Sequence, residues 1–187
     1  MMFFTADTHF GHANILELCN RPFETVEEMN ETMIKNWNAK VKGSDNVFIV
    51  GDMFYRCDPA EAEVILQRLH GKKNLIIGNH DSSWMNKVEL EKYFADVSDM
   101  KITSDGKHAI TLCHYPLLNY KHQRKAYMIH GHLHAETSED FFPLLCKRER
   151  VLNAGVDING YAPVAFDELL ANNNRFKDEY MKIQIKE

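Results

Sequence analysis

Several features are missing from this 187-residue chain, and each absence narrows what it can be. Its four cysteines, Cys19, Cys57, Cys113 and Cys146, show no C-x-x-C spacing. That argues against a disulfide framework or a thiolate zinc site and points to reduced thiols in a cytoplasmic protein. No apolar run approaches the ~20 residues a membrane-spanning helix needs. The amino terminus carries no basic stretch ahead of its short apolar run, so neither a signal peptide nor a membrane partner is expected. Positive charge is in deficit: 22 Lys and Arg stand against 27 Asp and Glu, for a formal charge of −5. A nonspecific nucleic-acid binder would usually carry a net basic face, so there is no strong sign of nucleic-acid binding. There is no internal repeat, low-complexity tract or linker. With 44% hydrophobic and 26% charged residues, residues 1–187 read as one globular domain with a real core.

What is present is a set of five short polar clusters, each directly behind an apolar run. Met2-Phe3-Phe4 precedes Asp7-Thr8-His9, and Val47-Phe48-Ile49-Val50 precedes Gly51-Asp52. Leu75-Ile76-Ile77 precedes Gly78-Asn79-His80-Asp81, and Ala109-Ile110-Thr111-Leu112 precedes Cys113-His114. Tyr127-Met128-Ile129 comes before Gly131-His132-Leu133-His134. Runs of this length, rich in β-branched and aromatic residues, predict buried strands. Ligand sites of open α/β sheets lie just beyond the carboxyl ends of their strands. Taken singly, each cluster is weak: Gly-Asp is usually a turn, a lone histidine usually a hydrogen-bonded core residue, and Asp81 usually a helix cap. Together, five strands delivering Asp, Asn or His to one edge predict a metal site.

Helices separate the early strands. Thr25-Val26-Glu27-Glu28 is a capping box, followed at helical spacing by Val26, Met29, Met33, Ile34, Trp37 and Val41. Asp58-Pro59-Ala60-Glu61 starts a second helix, with Ile65, Leu66 and Leu69 as its buried stripe and Gly71 beyond its end. A third, less regular helix is predicted within 83–94. The order β-α-β-α-β-α implies an α/β fold with parallel strands and right-handed crossovers. The second half reads as a hairpin of 100–103 and 108–112 around Asp105-Gly106, then strands at 127–130, 141–145 and 151–156. A short helix near 166–172 and a charged strand near 180–185 complete the expectation, a second sheet packed on the first with helices outside.

The clusters run D-x-H, G-D, G-N-H-D, H and G-H-x-H, and in that order the chain resembles the calcineurin-like metallophosphoesterase superfamily. The match covers residues 7–134 with no signature residue missing; the segment after 134 carries no chemical motif. The resemblance implies a four-layer α/β/β/α sandwich, two mixed β-sheets flanked by helices, with a two-metal centre between the sheet edges. It places Asp7, His9 and His134 on one metal, Asn79, His114 and His132 on the other, and Asp52 between them. Asp7 and His9, two apart in extended chain, would project together, as would His132 and His134. Glycines 51, 78 and 131 would let the chain turn sharply before the ligands.

Four imidazoles with oxygen ligands and no thiolate suit Mn²⁺, Fe, Zn²⁺ or Co²⁺ better than Mg²⁺, with Mn²⁺ the leading choice. The expected chemistry is hydrolysis of a phosphodiester or phosphomonoester by hydroxide held at the two metals. His80 would contact phosphate and protonate the leaving oxygen, oriented by Asp81 or by a backbone carbonyl. Two divalent ions against Asp7 and Asp52 leave a positive centre that attracts a small phosphorylated substrate, nucleotides included. His12, Arg21 and Arg56 are candidates for contacting it, each with an alternative as a turn or exposed residue. Lys147-Arg148-Glu149-Arg150 and Tyr120-Lys121-His122-Gln123-Arg124 read as a solvated turn and loop, and Asn153 and Asp157 as turn residues. The alternatives are a nucleotide pyrophosphate-bond hydrolase, a nuclease, or a metal-binding scaffold without catalysis. A nuclease should show a basic groove with stacking aromatics.

Overall fold

The computed structural model describes residues 1–184. Its first sheet holds five strands in the order β4-β3-β2-β1-β9: β1 (Met2–Thr5), β2 (Asn46–Val50), β3 (Lys72–Ile76), β4 (Phe94–Ser98) and β9 (Val164–Ala165). The first four are parallel and β9 is antiparallel to β1. The second sheet has the order β5-β6-β7-β8: β5 (Met100–Ser104), β6 (Ala109–Cys113), β7 (Tyr127–His130) and β8 (Val151–Asn153). There β5 and β6 form an antiparallel hairpin, and β6, β7 and β8 are parallel.

Alternation along each strand sets the layers. Phe4, Phe48, Val50 and Ile76 face Ile110, Leu112, Ile129 and Leu152 of the other sheet. Their neighbours Phe3, Val47, Ile49 and Leu75 face the opposite way, onto α2 (Val26–Lys40) and α3 (Pro59–Arg68) through Met33, Trp37, Ile65 and Leu66. Met128 and Val151 face outward from the second sheet onto α6 (Phe142–Cys146) and α7 (Phe166–Gln184) through Phe142, Leu145, Phe176 and Tyr180. The result is two mixed sheets between helical layers, as the sequence predicts. Each fully buried apolar side chain among these contributes about 1.5–3 kcal/mol, and the half-buried Phe176 and Tyr180 less.

The helix starts behave as their sequences require. Thr25 Oγ1 accepts from the Glu28 backbone N–H at 3.1 Å, and Asp58 Oδ1 accepts from Ala60 N–H at 2.9 Å. Among the described residues, no helix is long and apolar enough to cross a membrane.

Four expectations need correction. The helix predicted within 83–94 is two single turns, α4 (Ser82–Met85) and α5 (Leu90–Tyr93), with α1 (Ile15–Leu18) a third short turn elsewhere. Trp84 is fully buried and held by Asp81, and Asn86-Lys87 carries no apolar position that could extend its stripe. The strand expected at 141–145 is instead helix α6, Phe142–Cys146: Phe142 and Leu145 are buried at helical spacing, and Pro143 suits a first turn but removes a ladder donor from a strand. The strand expected at 151–156 stops at Asn153 and gives way to a 3-10 turn, Val156–Ile158. The final strand near 180–185 is instead the end of α7, which runs from Phe166 to Gln184, and residue 185 lies outside the described residues. The run Asn172-Asn173-Asn174 hides that helix in the sequence, yet Asn173 is 1% exposed, accepting from Asn153 N–H and donating to the carbonyls of Asn153 and Leu169. Strands β4 and β9 carry no clear strand pattern in the sequence.

Parallel register brings the carboxyl ends of β1, β2 and β3 to one edge, and those of β6 and β7 to the facing edge. A backbone bond ties the two, Val156 N–H donating to Ala6 O at 3.1 Å, while Gly131 N–H donating to His114 O at 3.0 Å joins the ends of β6 and β7.

Candidate metal centre

Beyond β1 the chain does not stay extended. Asp7 and His9 have φ of 55° and 49°, and His132 and His134 have 71° and 51°. The premise that each pair projects together from extended chain is therefore wrong; the side chains converge by left-handed backbone. Asp52, at φ 55°, makes a fifth among nine such non-glycine residues in the described chain. Asp, Asn and His tolerate this region better than most residues. It still costs about 1–3 kcal/mol each, strain of the kind that collects at functional sites.

Of the three glycines, only Gly51 has a positive φ, 88°. A side chain at Gly51 would strike the His114 ring, and one at Gly78 would strike the Asp52 carboxylate. At Gly131 a Cβ would lie 2.7 Å from Val50 O and 2.9 Å from Asp7 Oδ2. Close approach of the two sheet edges, more than sharp turning, is what these glycines permit.

All seven predicted ligand residues meet at this seam. Asp7, His9 and His134 each offer a donor atom within 4.8 Å of the others, and so do Asp52, His114 and His132. Asp52 lies between the groups: its Oδ2 is 3.4 Å from His114 Nε2, 3.8 Å from His9 Nε2 and 4.0 Å from His80 Nε2. Asn79 Oδ1 is 2.9 Å from His114 Nε2 and 3.0 Å from His132 Nδ1. Across the seam, His132 N–H also donates to Asp7 Oδ1 at 2.9 Å.

The donors fit divalent cations. Asp7 Oδ2 and both ring nitrogens of His9 are buried with no hydrogen-bond partner, a costly state for polar atoms unless a ligand engages them. His114 sends Nδ1 to Val50 O at 2.9 Å, which turns its Nε2 lone pair toward the oxygens of Asn79 and Asp52. Those atoms need a positive charge between them, a cation or, in its absence, a proton on Nε2 that donates to Asn79. The titration tendencies agree. Burial opposes charge on His114, but its bond to Asp52 and the nearby Asp7 charge raise it to about 9. Burial likewise opposes charge on His134, and its bond to Asp157 raises it to about 10. Burial pushes Asp7 up to about 6 and His9 down to about 2.

The sequence matches the calcineurin-like phosphoesterase family over residues 2–180. The chain belongs to that family. It is 35% identical over 167 residues to an uncharacterized protein of Methanocaldococcus jannaschii, covering 89% of this chain and 87% of the relative. It is 26% identical to the gene 66 protein of Mycobacterium phage L5, covering 94% and 95% of the two chains. Among solved structures, a protein of unknown function from Aquifex aeolicus superposes with a TM-score of 0.71 at 27% identity, covering 90% of this chain and 96% of the other. A calcineurin-like phosphoesterase is a hydrolase of phosphate esters and implies divalent metal ions at a site such as this.

Within this phosphoesterase, two further residues do not sit where the sequence suggested. Arg21 cannot meet a substrate: its side chain is fully buried, and all its donors are engaged inside the protein. Nε and Nη2 grip Asp157 at 2.8 and 3.1 Å, while the two terminal nitrogens donate to Thr8 O at 2.9 Å, Asp7 O at 2.7 Å and Met29 Sδ at 3.4 Å. Asp157, read in sequence as a turn residue, also accepts from His134 Nδ1 at 2.9 Å. A chain of contacts from His134 through Asp157 and Arg21 thus clamps the backbone of the first cluster. Asp81 does not orient the His80 ring. Its carboxylate accepts from the backbone N–H groups of Asp52, Met53 and Gly78 and from the Trp84 indole, all within 2.9 Å. It fixes the loop that carries Asp52.

His80 is held by its backbone N–H donating to Asp52 Oδ1 at 2.9 Å and by the hydroxyl of Ser83 on its carbonyl. The His12 ring lies 5.4 Å from that of His9, with its Nδ1 buried and unpartnered. Arg56 is exposed, its guanidinium 5.1 Å above the Tyr55 ring. Sequence reasoning missed Tyr55, whose ring packs 4.4 Å from His12 and 4.6 Å from His80. It also missed Tyr115, 4.7 Å from His132 and 47% exposed. Their positions two or three residues beyond Asp52 and directly after His114 were the available signal. Cys113 is not among the metal-facing groups, but Cys19 lies beside His134 and Asp157.

Proposed function

We propose that this chain hydrolyses phosphomonoester or phosphodiester bonds at a centre of two divalent cations. Asp7, His9 and His134 would hold one, Asn79, His114 and His132 the other, with Asp52 bridging. The observation that carries this reading is the set of buried, unpartnered lone pairs on Asp7 and His9 aimed at Asp52 and His134. Cations held by these residues would supply a water of lowered pKa and positive charge to neutralise and orient phosphoryl oxygens. The mixed nitrogen and oxygen donor set supports Mn²⁺ first, with Fe, Zn²⁺ and Co²⁺ as alternatives to Mg²⁺.

The protein groups do the rest. Asp52 and Asp7 supply only two negative charges, so the loaded centre attracts a small phosphorylated substrate despite the acidic chain. His80, with 39% of its side chain exposed, reaches into the solvent side of the centre and gives its proton to the leaving oxygen. Tyr55 packs edge-on against its ring and, with the backbone bond to Asp52, sets its direction. Arg56 and His12 line the same side as substrate contacts. The four cysteines are free, which supports a reducing, cytoplasmic setting.

The test is hydrolysis of mono- and bis-p-nitrophenyl phosphate by Mn²⁺-loaded protein, with a chelator control, for wild type and His80→Ala. On a further ester with an alkyl leaving group, whose oxygen needs a proton to depart, removing a general acid should lower turnover about 10²–10⁴-fold while leaving metal content unchanged. Unchanged turnover of the loaded variant would remove the acid role. Failure of loaded wild type on both esters would favour a non-catalytic scaffold.

A further inference from the structure

We propose that the face built by residues 119–125 and 147–150 binds the phosphate backbone of a single-stranded nucleic acid, and that such a strand is the substrate of the metal centre. The second clause rests on the phosphoesterase reading above; the binding claim stands without it.

In sequence these two stretches are a loop and a turn, 22 residues apart. Folded, they are one surface. Tyr120 donates its hydroxyl to Arg150 O at 3.4 Å and Arg150 Nη1 donates to Lys125 O at 3.4 Å. From the helix side, Lys177 Nζ bonds the carbonyls of Arg148 and Val151 at 2.8 and 2.6 Å. Between the stretches lies a groove of about 220 Å³ lined by Tyr120, Gln123, Arg124 and residues 147–151.

The charge there is opposite to that of the molecule. The two stretches hold Lys121, Arg124, Lys125, Lys147, Arg148 and Arg150 against one acid, Glu149, a net of +5 that leaves the remainder of the chain at −10. Five of the six cations are exposed and Arg150 is part-buried, its guanidinium 4.9 Å over the Tyr127 ring. None of the six takes part in an ion pair among the described residues. Cations gathered without carboxylates repel one another, and a polyanion that spans them relieves that repulsion and releases its own counterions.

The surface also leads to the metal centre. Strand β7 starts at Tyr127 beside the patch and ends at His130, about 10 Å away at a rise of ~3.3 Å per residue, directly before Gly131 and His132. The same loop that carries Lys121 and Arg124 begins at Tyr115, whose exposed ring lies 5.2 Å from His114 and 4.7 Å from His132. Leu118, 42% exposed, lies between. An exposed aromatic next to the metal ligands offers a stacking face to an unpaired base, which a duplex would not present. A small phosphate ester at the metals could not reach the patch; a strand of several nucleotides could. This is the basic surface with aromatics that a linear reading of the chain does not show.

The experiment measures fluorescence anisotropy of a labelled mixed-sequence single-stranded 12-mer with full-length protein in EDTA, across a salt series. The comparison is Lys121→Glu/Arg124→Glu/Arg148→Glu, with Arg124→Gln/Arg148→Gln as a milder second variant and circular dichroism to verify folding. Wild type should bind at low salt, the triple variant at least tenfold more weakly, and the log–log salt slope should shrink by about 2, for three lost phosphate contacts at ~0.7 each. Turnover of bis-p-nitrophenyl phosphate with Mn²⁺ should be unchanged in both variants, whereas Mn²⁺-dependent cleavage of the 12-mer should fall with binding. Equal binding by wild type and variants, or binding of phosphatidylserine vesicles in place of the oligonucleotide, would overturn the inference. Strand binding by a protein that hydrolyses neither oligonucleotide nor bis-ester would overturn the substrate claim and the phosphoesterase reading, leaving the patch. Bis-ester hydrolysis without strand binding would overturn the patch alone.

Discussion

At one half of the centre, Asp7 and His9 direct bare lone pairs toward His134; at the other, Asn79 already bonds both His114 and His132. The first half is held open from behind. Arg21 and Asp157 fix the His134 ring and the backbone of Asp7 and Thr8, so its donors cannot collapse onto each other. In the second half Val50 O holds only the His114 ring from behind, while the His132 ring and the Asn79 amide oxygen bond within the site itself, across the seam. Similar ligand types therefore give a preorganised pocket on one side and a pocket that must exchange protein contacts for cation contacts on the other. Braced geometry lowers the reorganisation a ligand demands, so the first half should load more tightly.

The largest expected effect comes from removing the brace. Asp157→Ala leaves the Arg21 guanidinium buried and unpaired, which costs about 3–5 kcal/mol of folding stability. It also frees the His134 ring, and losing such an outer partner weakens metal affinity about 10–100-fold. Urea unfolding and Mn²⁺ titration would measure both; a loss below about 1 kcal/mol would show that the brace matters little. Asn79→Ala should act more mildly and on the other side. It removes an acceptor shared by two imidazoles without stranding a buried charge, so stability should change by no more than about 1–2 kcal/mol. Cation uptake should weaken at the second half only, by at least about tenfold. Equal weakening of both halves would break the distinction drawn here.

The same contrast runs through what the sequence made readable. The first sheet alternates long helices with apolar strands, and its order and register follow from Phe3-Phe4, Val47–Val50 and Leu75-Ile76, whose residues are buried on both faces. The second half misled where polar residues serve the interior. Asn173 caps β8 from inside a helix whose apolar stripe it interrupts, and Pro143 marks a helix start between residues that otherwise read as strand. The residues that meet at the seam were legible because each follows a strand. Their left-handed backbone was not, since Asp and His reach that conformation with no marker of the kind glycine gives. Arg21, Asp157 and Tyr55 lay hidden for a different reason. Their roles depend on partners 136 residues away, as for Arg21 with Asp157, or on rings brought together only by folding, as for Tyr55 with His12 and His80.

The most direct measurement is anomalous diffraction from crystals equilibrated with Mn²⁺. Two peaks about 3.5–4 Å apart are predicted, the stronger among Asp7, His9 and His134, the weaker among Asn79, His114 and His132, with Asp52 touching both. A single peak away from Asp52, or none at full Mn²⁺ loading, would contradict the account.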